Sequence, residues 1–217
     1  MLVGRKVYIP KVYVYTITVY NMIITENERK VLKLLFSAFK EVYSINRIAR
    51  ECNLAPNGAL KILRKFETEG ILKSEKINNF KSYRLDFENE KTKNILKLAL
   101  IPEIKGRLKF RADDLKQLRD TAEVCIIFGS YTNLGKEPND IDVFFIIESK
   151  KFKDFKKEAS LIYKTIPIKV HDVLQTEEDA AENLKKGNKV IREIFKTGII
   201  LWGYDKMMEI AEHEYKR

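Results

Sequence analysis

VCIIFGSYTNLGKEPNDIDVFFII, residues 124–147, is the stretch from which the rest of the chain is read. Val124 to Phe128 is an unbroken apolar run that ends in Gly129-Ser130, and after nine intervening residues Asp140-Ile141-Asp142 opens a second apolar run. The pattern predicts a strand, a tight turn and a second strand. Successive side chains of a strand alternate faces, so Asp140 and Asp142 share one face, roughly 7 Å apart along the chain, while Ile141 and Val143 share the other. Two carboxylates on one rigid surface suit a hard divalent cation such as Mg²⁺, which takes oxygen ligands and keeps waters and substrate phosphates besides. A glycine lets backbone come close to a ligand, and exposed N–H groups with a serine hydroxyl hold phosphate oxygens. Gly129 and Ser130 are therefore the candidate nucleotide-binding residues, and Asp140 and Asp142 the candidate metal ligands. The bland alternative, two aspartates that merely solvate an edge strand, accounts for neither their shared face nor the Gly-Ser before them.

These residues, GSYTNLGKEPNDIDVFFI, resemble the signature of the polymerase-beta-like nucleotidyltransferases, in particular the small minimal ones of prokaryotes. The shared pattern is an apolar strand, Gly-Ser, a spacer of this size and Asp-x-Asp on the next strand. The resemblance covers about residues 112–205. It implies a mixed sheet flanked by helices and the transfer of a nucleoside monophosphate from an NTP with Mg²⁺. It also implies a third carboxylate on a later strand, for which IPIKVHDVL, residues 166–174, offers only Asp172. Strand parity puts Ile168, Val170, Asp172 and Leu174 on one face and Lys169, His171 and Val173 on the other. With the first set buried, His171 and not Asp172 points at the metal. Either a local bulge rotates Asp172 into place, or two aspartates hold one Mg²⁺ that binds nucleotide without promoting transfer. Histidine is a poor ligand for Mg²⁺, and an ordinary polar residue on a half-exposed strand is the competing reading of His171.

Composition sets the frame. A chain of 217 residues can bury a sizeable core, and 45% hydrophobic with 33% charged residues is ordinary for a globular protein, which excludes a disordered or low-complexity class. Cys52 and Cys125 both sit in apolar periodic stretches and read as core residues of a reducing compartment, not as a disulfide or zinc site. No apolar run reaches the length of a membrane span, so the expectation is a cytoplasmic protein with no membrane partner. The formal net charge of +10 is unevenly placed: residues 124–217 carry 16 basic and 16 acidic side chains, so the whole excess lies before Val124. A basic N-terminal half joined to a neutral C-terminal half suggests that the former faces a polyanion.

Residues 1–21 read as extended structure, or alternatively as an upstream extension, since Met22 would itself make a normal start. Thr25 and Glu28 form a capping-box pattern for a helix from about Glu26 to Phe39. Ser44 caps a second helix that Asn53 ends. A third, Pro56 to Glu69, stops at Gly70, buries Leu60, Leu63 and Phe66, and turns outward Asn57, Lys61, Arg64, Lys65 and Thr68. Two short strands around Asn78-Asn79 follow, carrying Lys73, Lys76, Lys81 and Arg84. Three helices and a hairpin over residues 22–87 resemble the winged helix-turn-helix of prokaryotic regulators. That resemblance implies double-stranded DNA as partner, with Asn57, Lys61, Arg64, Lys65 and Lys81 as the DNA-binding residues; the alternative is a protein-contact module with a solvated basic face.

Residues 88–111 read as a helical linker whose basic loop carries Lys105, Arg107, Lys109 and Arg111, and residues 112–217 as the nucleotidyltransferase-like domain. Within it Phe152, Phe155, Ala159 and Ile162 mark a helix, Thr176 caps another that Gly187-Asn188 breaks, and IFKTGIILWGYD reads as a closing strand and turn. Trp202 and Tyr204 read as core or rim packing. The expectation is an α+β protein: a winged helix-turn-helix followed by a polymerase-beta-like nucleotidyltransferase domain. Its favoured function joins DNA binding to Mg²⁺-dependent transfer of NMP from an NTP to an unidentified acceptor, with Asp140, Asp142 and Asp172 catalytic. The alternative is a non-enzymatic transcription regulator whose C-terminal domain senses nucleotide or dimerises, and both leave a homodimer open.

Overall fold

The computed structural model describes residues 24–38, 41–77, 79–133, 135 and 137–215. The expectations for residues 1–21, and those that fall on Phe39 and Asn78, lie outside them. The described chain is α+β. Helix α1 spans Glu26–Ala38, entered through the anticipated capping box: the Glu28 N–H donates to Thr25 Oγ1 (3.3 Å) and the Thr25 N–H to Glu28 Oε2 (2.7 Å). Ser44 caps α2, Ile45–Glu51, by accepting from the Arg47 N–H, and Asn53, at φ +53°, takes the left-handed conformation that turns the chain. Helix α3, Pro56–Thr68, buries Ala59, Leu63 and Phe66, whereas Leu60 is only half-buried. Strands β1, Leu72–Ile77, and β2, Phe80–Leu85, pair antiparallel. Three helices and a hairpin is the arrangement of a winged helix-turn-helix.

Helix α4, Glu90–Leu100, is the helix expected within residues 88–111, and it is packed against α1. It buries Leu96 and Ala99 in the core shared with α1, and Arg29 of α1 donates to the carbonyls of Ala99 (3.4 Å) and Ile101 (3.0 Å). The expected basic loop is in large part helix α5, Arg107–Leu115. Every-second-residue charge suggested a loop, but Leu108 and Leu115 are seven apart and bury one helical side, with Arg111 paired to the half-buried Asp114 at 2.9 Å.

Strands β3 (Val124–Phe128), β4 (Asp140–Ile146), β5 (Lys169–Gln175) and β6 (Ile199–Trp202) form a mixed sheet in the order β5-β4-β3-β6. Only β4 and β5 run parallel, joined through helix α6, Phe152–Tyr163. Alternation divides the sheet into two dry faces. Cys125, Ile127, Ile141, Val143, Phe145 and Trp202 pack against α5 and α6. Val124, Ile126, Phe128, Phe144 and Ile146 pack against α7 (Glu177–Lys185), α8 (Lys189–Thr197) and α9 (Tyr204–Tyr215), and this second core runs without a break into the winged helix. Phe36 of α1 stacks on Phe195 of α8, ring centroids 6.0 Å apart. Helix α9 stands where only a closing turn was expected; Met207, Met208, Ile210 and Ala211 are its buried side. Trp202 is core, its indole N–H donating to the Ala122 carbonyl at 2.8 Å. No helix of the described residues is long and apolar enough to cross a membrane.

Candidate functional site

Asp140 and Asp142 lie at the start of β4, on the face that further along carries Phe144 and Ile146. In the parallel register Asp140 pairs with Lys169 and Asp142 with His171, and side chains of paired residues share a face. Two carboxylates, an ammonium and an imidazole therefore project together. His171 Nδ1 lies 3.5 Å from Asp140 Oδ2 and 3.6 Å from Asp142 Oδ1. Burial, and then repulsion from Asp140, push the Asp142 carboxyl above its ordinary range against the pull of His171.

The third acid is elsewhere. Asp172 pairs with Val143, whose side chain belongs to the opposite face, and its carboxylate accepts a hydrogen bond from the Tyr163 hydroxyl at 3.1 Å. The expectation of Asp172 as a third ligand is thereby corrected: β4 and β5 pair residue for residue without the bulge that would rotate it. Burial and that carboxylate together push the Tyr163 phenol well up. Among the described residues no group of three or more His, Cys, Asp or Glu side chains is arranged to hold a metal ion. Two carboxylates beside an imidazole fit an Mg²⁺ held chiefly by water and phosphate oxygens; they do not fit a site in which protein carboxylates supply three ligands.

Gly129 and Ser130 open a single 3₁₀ turn, Gly129–Thr132, and both are exposed. Gly129 has φ +68°, and a Cβ there would overlap Asp142 Oδ2. The bare α-carbon is thus what lets the Gly-Ser turn and the Asp142 carboxylate share the space. Arg107 fastens the turn from behind, donating to the carbonyls of Tyr131 (3.2 Å) and Asn133, while the Tyr131 hydroxyl donates back to the Arg107 carbonyl at 3.3 Å. Sequence reasoning missed two neighbours of the site. Lys169 was legible from the parity that exposed His171. Arg107 carried no signal, because its partners are backbone carbonyls of a distant turn.

On the winged helix, Asn57, Lys61 and Arg64 are exposed along the outer side of α3, and Lys61 and Arg64 form no ion pair among the described residues. The other two expected DNA-binding residues are engaged within the fold. Lys65 Nζ lies 2.8 Å from Oε1 of the buried Glu28, and Lys81 Nζ lies 2.8 Å from Glu67 Oε2. Lys65 ties α3 to α1, and Lys81 ties the hairpin to α3.

No protein-family model matches the chain, and no curated protein matches it. Solved structures with partial likeness include Staphylococcus aureus MepR, a transcription regulator of the multidrug efflux pump MepA, at TM-score 0.32 and 14% identity over 52% of this chain and 98% of that one. Lactococcus lactis ZitR in apo form gives TM-score 0.29 and 17% identity over 70% and 91%. The adhesin competence repressor AdcR of Streptococcus pyogenes gives 0.30 and 12% over 72% and 92%. Scores this low carry no weight for function, which is argued from this chain's own geometry.

Proposed function

We propose that the chain is a DNA-binding transcription regulator whose C-terminal half, similar to a polymerase-beta-like nucleotidyltransferase, binds a Mg²⁺-nucleotide at Asp140 and Asp142 without transferring it. The observation that carries this reading is the position of Asp172, bonded to Tyr163 on the far side of β5 while His171 occupies the site face. In-line transfer depends on metal-borne charge stabilisation and an activated acceptor hydroxyl, and an imidazole is an unsuitable oxygen-site substitute for a hard cation. DNA binding is supported by the outward, unpaired Lys61 and Arg64 on the helix that precedes the hairpin. A second reading, active NMP transfer, draws support from the close fit of Gly129 against Asp142, since the Gly129–Ser130 turn expected to hold phosphate then lies beside the carboxylates.

Titration of NTP with and without Mg²⁺, in wild type and in Asp140→Asn/Asp142→Asn, tests the binding half. Labelled NTP mixed with extract of the source cells tests transfer. Mg²⁺-dependent binding that the double variant loses, with no label transferred by wild type, is the expected result. Label transfer that the double variant loses would establish the enzyme instead, and absence of Mg²⁺-dependent binding in wild type would remove both nucleotide readings.

A further inference from the structure

A cleft of about 370 Å³, with neither Asp140 nor Asp142 in its lining, lies where the winged helix meets the sheet half. One wall is the end of α1 with the start of α2, carrying Tyr43 and Arg47; the other is α8. On α8, Lys189, Arg192 and Lys196 are spaced three and four residues apart and so form one stripe along the cleft. None of the three forms an ion pair among the described residues. Elsewhere α4, α7 and α9 match their cations: Lys93 pairs with Glu212 at 2.9 Å, Lys206 with Glu177 at 2.6 Å, and Lys97 with Asp205.

The acids of the cleft do not neutralise the stripe. Glu41 is held by Arg47 at 2.6 Å and by the Tyr43 hydroxyl at 3.1 Å, and Glu51 faces Arg50 at 3.6 Å. Glu193 alone remains against three cations. The guanidinium of Arg192 is also positioned: it lies against the bare backbone of Gly187, where a Cβ would come within 3.3 Å of Nη2. Across the gap the Arg47 guanidinium rests 4.0 Å above the Tyr43 ring, so that wall too is fixed. Like charges on one helical stripe repel, and a multiply charged anion relieves that repulsion.

We propose that this cleft is a second anion site, which takes a small ligand bearing a diphosphate group. Lys189, Arg192 and Lys196 hold the phosphate oxygens, with the Arg192 fork supplying paired donors. A cavity of this size falls in the small-molecule range and does not admit a duplex. Because its walls belong to the two halves of the chain, occupancy favours one arrangement of the winged helix against the sheet and so couples to DNA affinity.

The test is calorimetric titration of the full chain with inorganic pyrophosphate, and separately with ADP, in the absence of Mg²⁺ so that the carboxylate site is silent. Saturable binding is expected in wild type and in Asp140→Asn/Asp142→Asn, weakened about tenfold or more in Lys189→Ala/Arg192→Ala/Lys196→Ala; should that variant fold poorly, Lys189→Gln/Arg192→Gln replaces it. ADP that binds like pyrophosphate identifies the diphosphate alone as the ligand chemistry, and tighter ADP binding adds the nucleoside. Absence of saturable binding of either, or equal affinity in the stripe variant, overturns the proposal. So does a stripe variant that loses only duplex DNA affinity, since the stripe would then be a DNA contact.

Discussion

Gly129 and Asp142 depend on each other atom by atom. The positive φ of Gly129 and the carboxylate lying where its Cβ would go mean that Gly129→Ala introduces both backbone strain and a side-chain collision. Strain of this kind costs about 1–3 kcal/mol, so urea unfolding should show a loss of that size. Asp142 must also swing away, so Mg²⁺-dependent nucleotide binding should fall with it; unchanged stability and binding would mean that the turn relaxes freely. Gly129, Asp140, Asp142 and the turning away of Asp172 were legible in sequence because strand parity is rigid and local. Lys65 was not: its partner Glu28 lies 37 residues upstream, and an exposed-looking lysine on a basic stripe gives no sign of a carboxylate on another helix.

At the scale of elements, α3 presents Lys61 and Arg64 for the proposed DNA contact and ties itself to α1 through Lys65, and mutation should separate the two. Lys61→Ala/Arg64→Ala should weaken duplex binding and lower the slope of log affinity against log salt by roughly 2, one phosphate contact each, with the melting temperature unchanged. Lys65→Ala should instead destabilise. A hydrogen-bonded pair with a charged partner contributes about 1.5–3 kcal/mol, which solvent at the half-exposed Lys65 reduces to about 1–2. Burial pushes the Glu28 carboxyl up, but hydrogen bonds from Lys65 and Thr25 outweigh it and hold the group below its ordinary value of 4.5. A depressed carboxyl stabilises fully above its unfolded value and loses that contribution as pH falls through the folded one. The gap in urea midpoint between wild type and Lys65→Ala should therefore be wide at pH 7 and close in acid below the carboxylate range. The helix around Leu115 was legible from its apolar residues, but its start at Arg107 was not, because alternating lysine and arginine reads as a basic loop; α9 was missed because its four buried apolar residues fall in a short polar segment after a glycine that reads as a stop.

The molecule as a whole is joined by one core. The winged helix, α4, α7, α8, α9 and one face of the sheet share a continuous buried cluster, while Trp202 reports from the opposite sheet face. Tryptophan fluorescence and far-UV circular dichroism should thus give coincident urea transitions, as a two-state unit requires. Separate midpoints would show that the halves unfold independently. The expected boundary at residues 88–111 rested on local periodicity and a basic loop, neither of which can show that α4 is wedged into the packing of α1. That continuity also sets an order of events in synthesis. The Tyr215 hydroxyl closes onto the Leu35 carbonyl from 180 residues further along, and its ring meets Phe87. At about 5–20 residues per second, helix α1 spends roughly 10–40 seconds outside the ribosome before Tyr215 exists to close onto Leu35, and during that interval the nascent chain depends on whatever shields Leu35 and Phe36 until α9 is made.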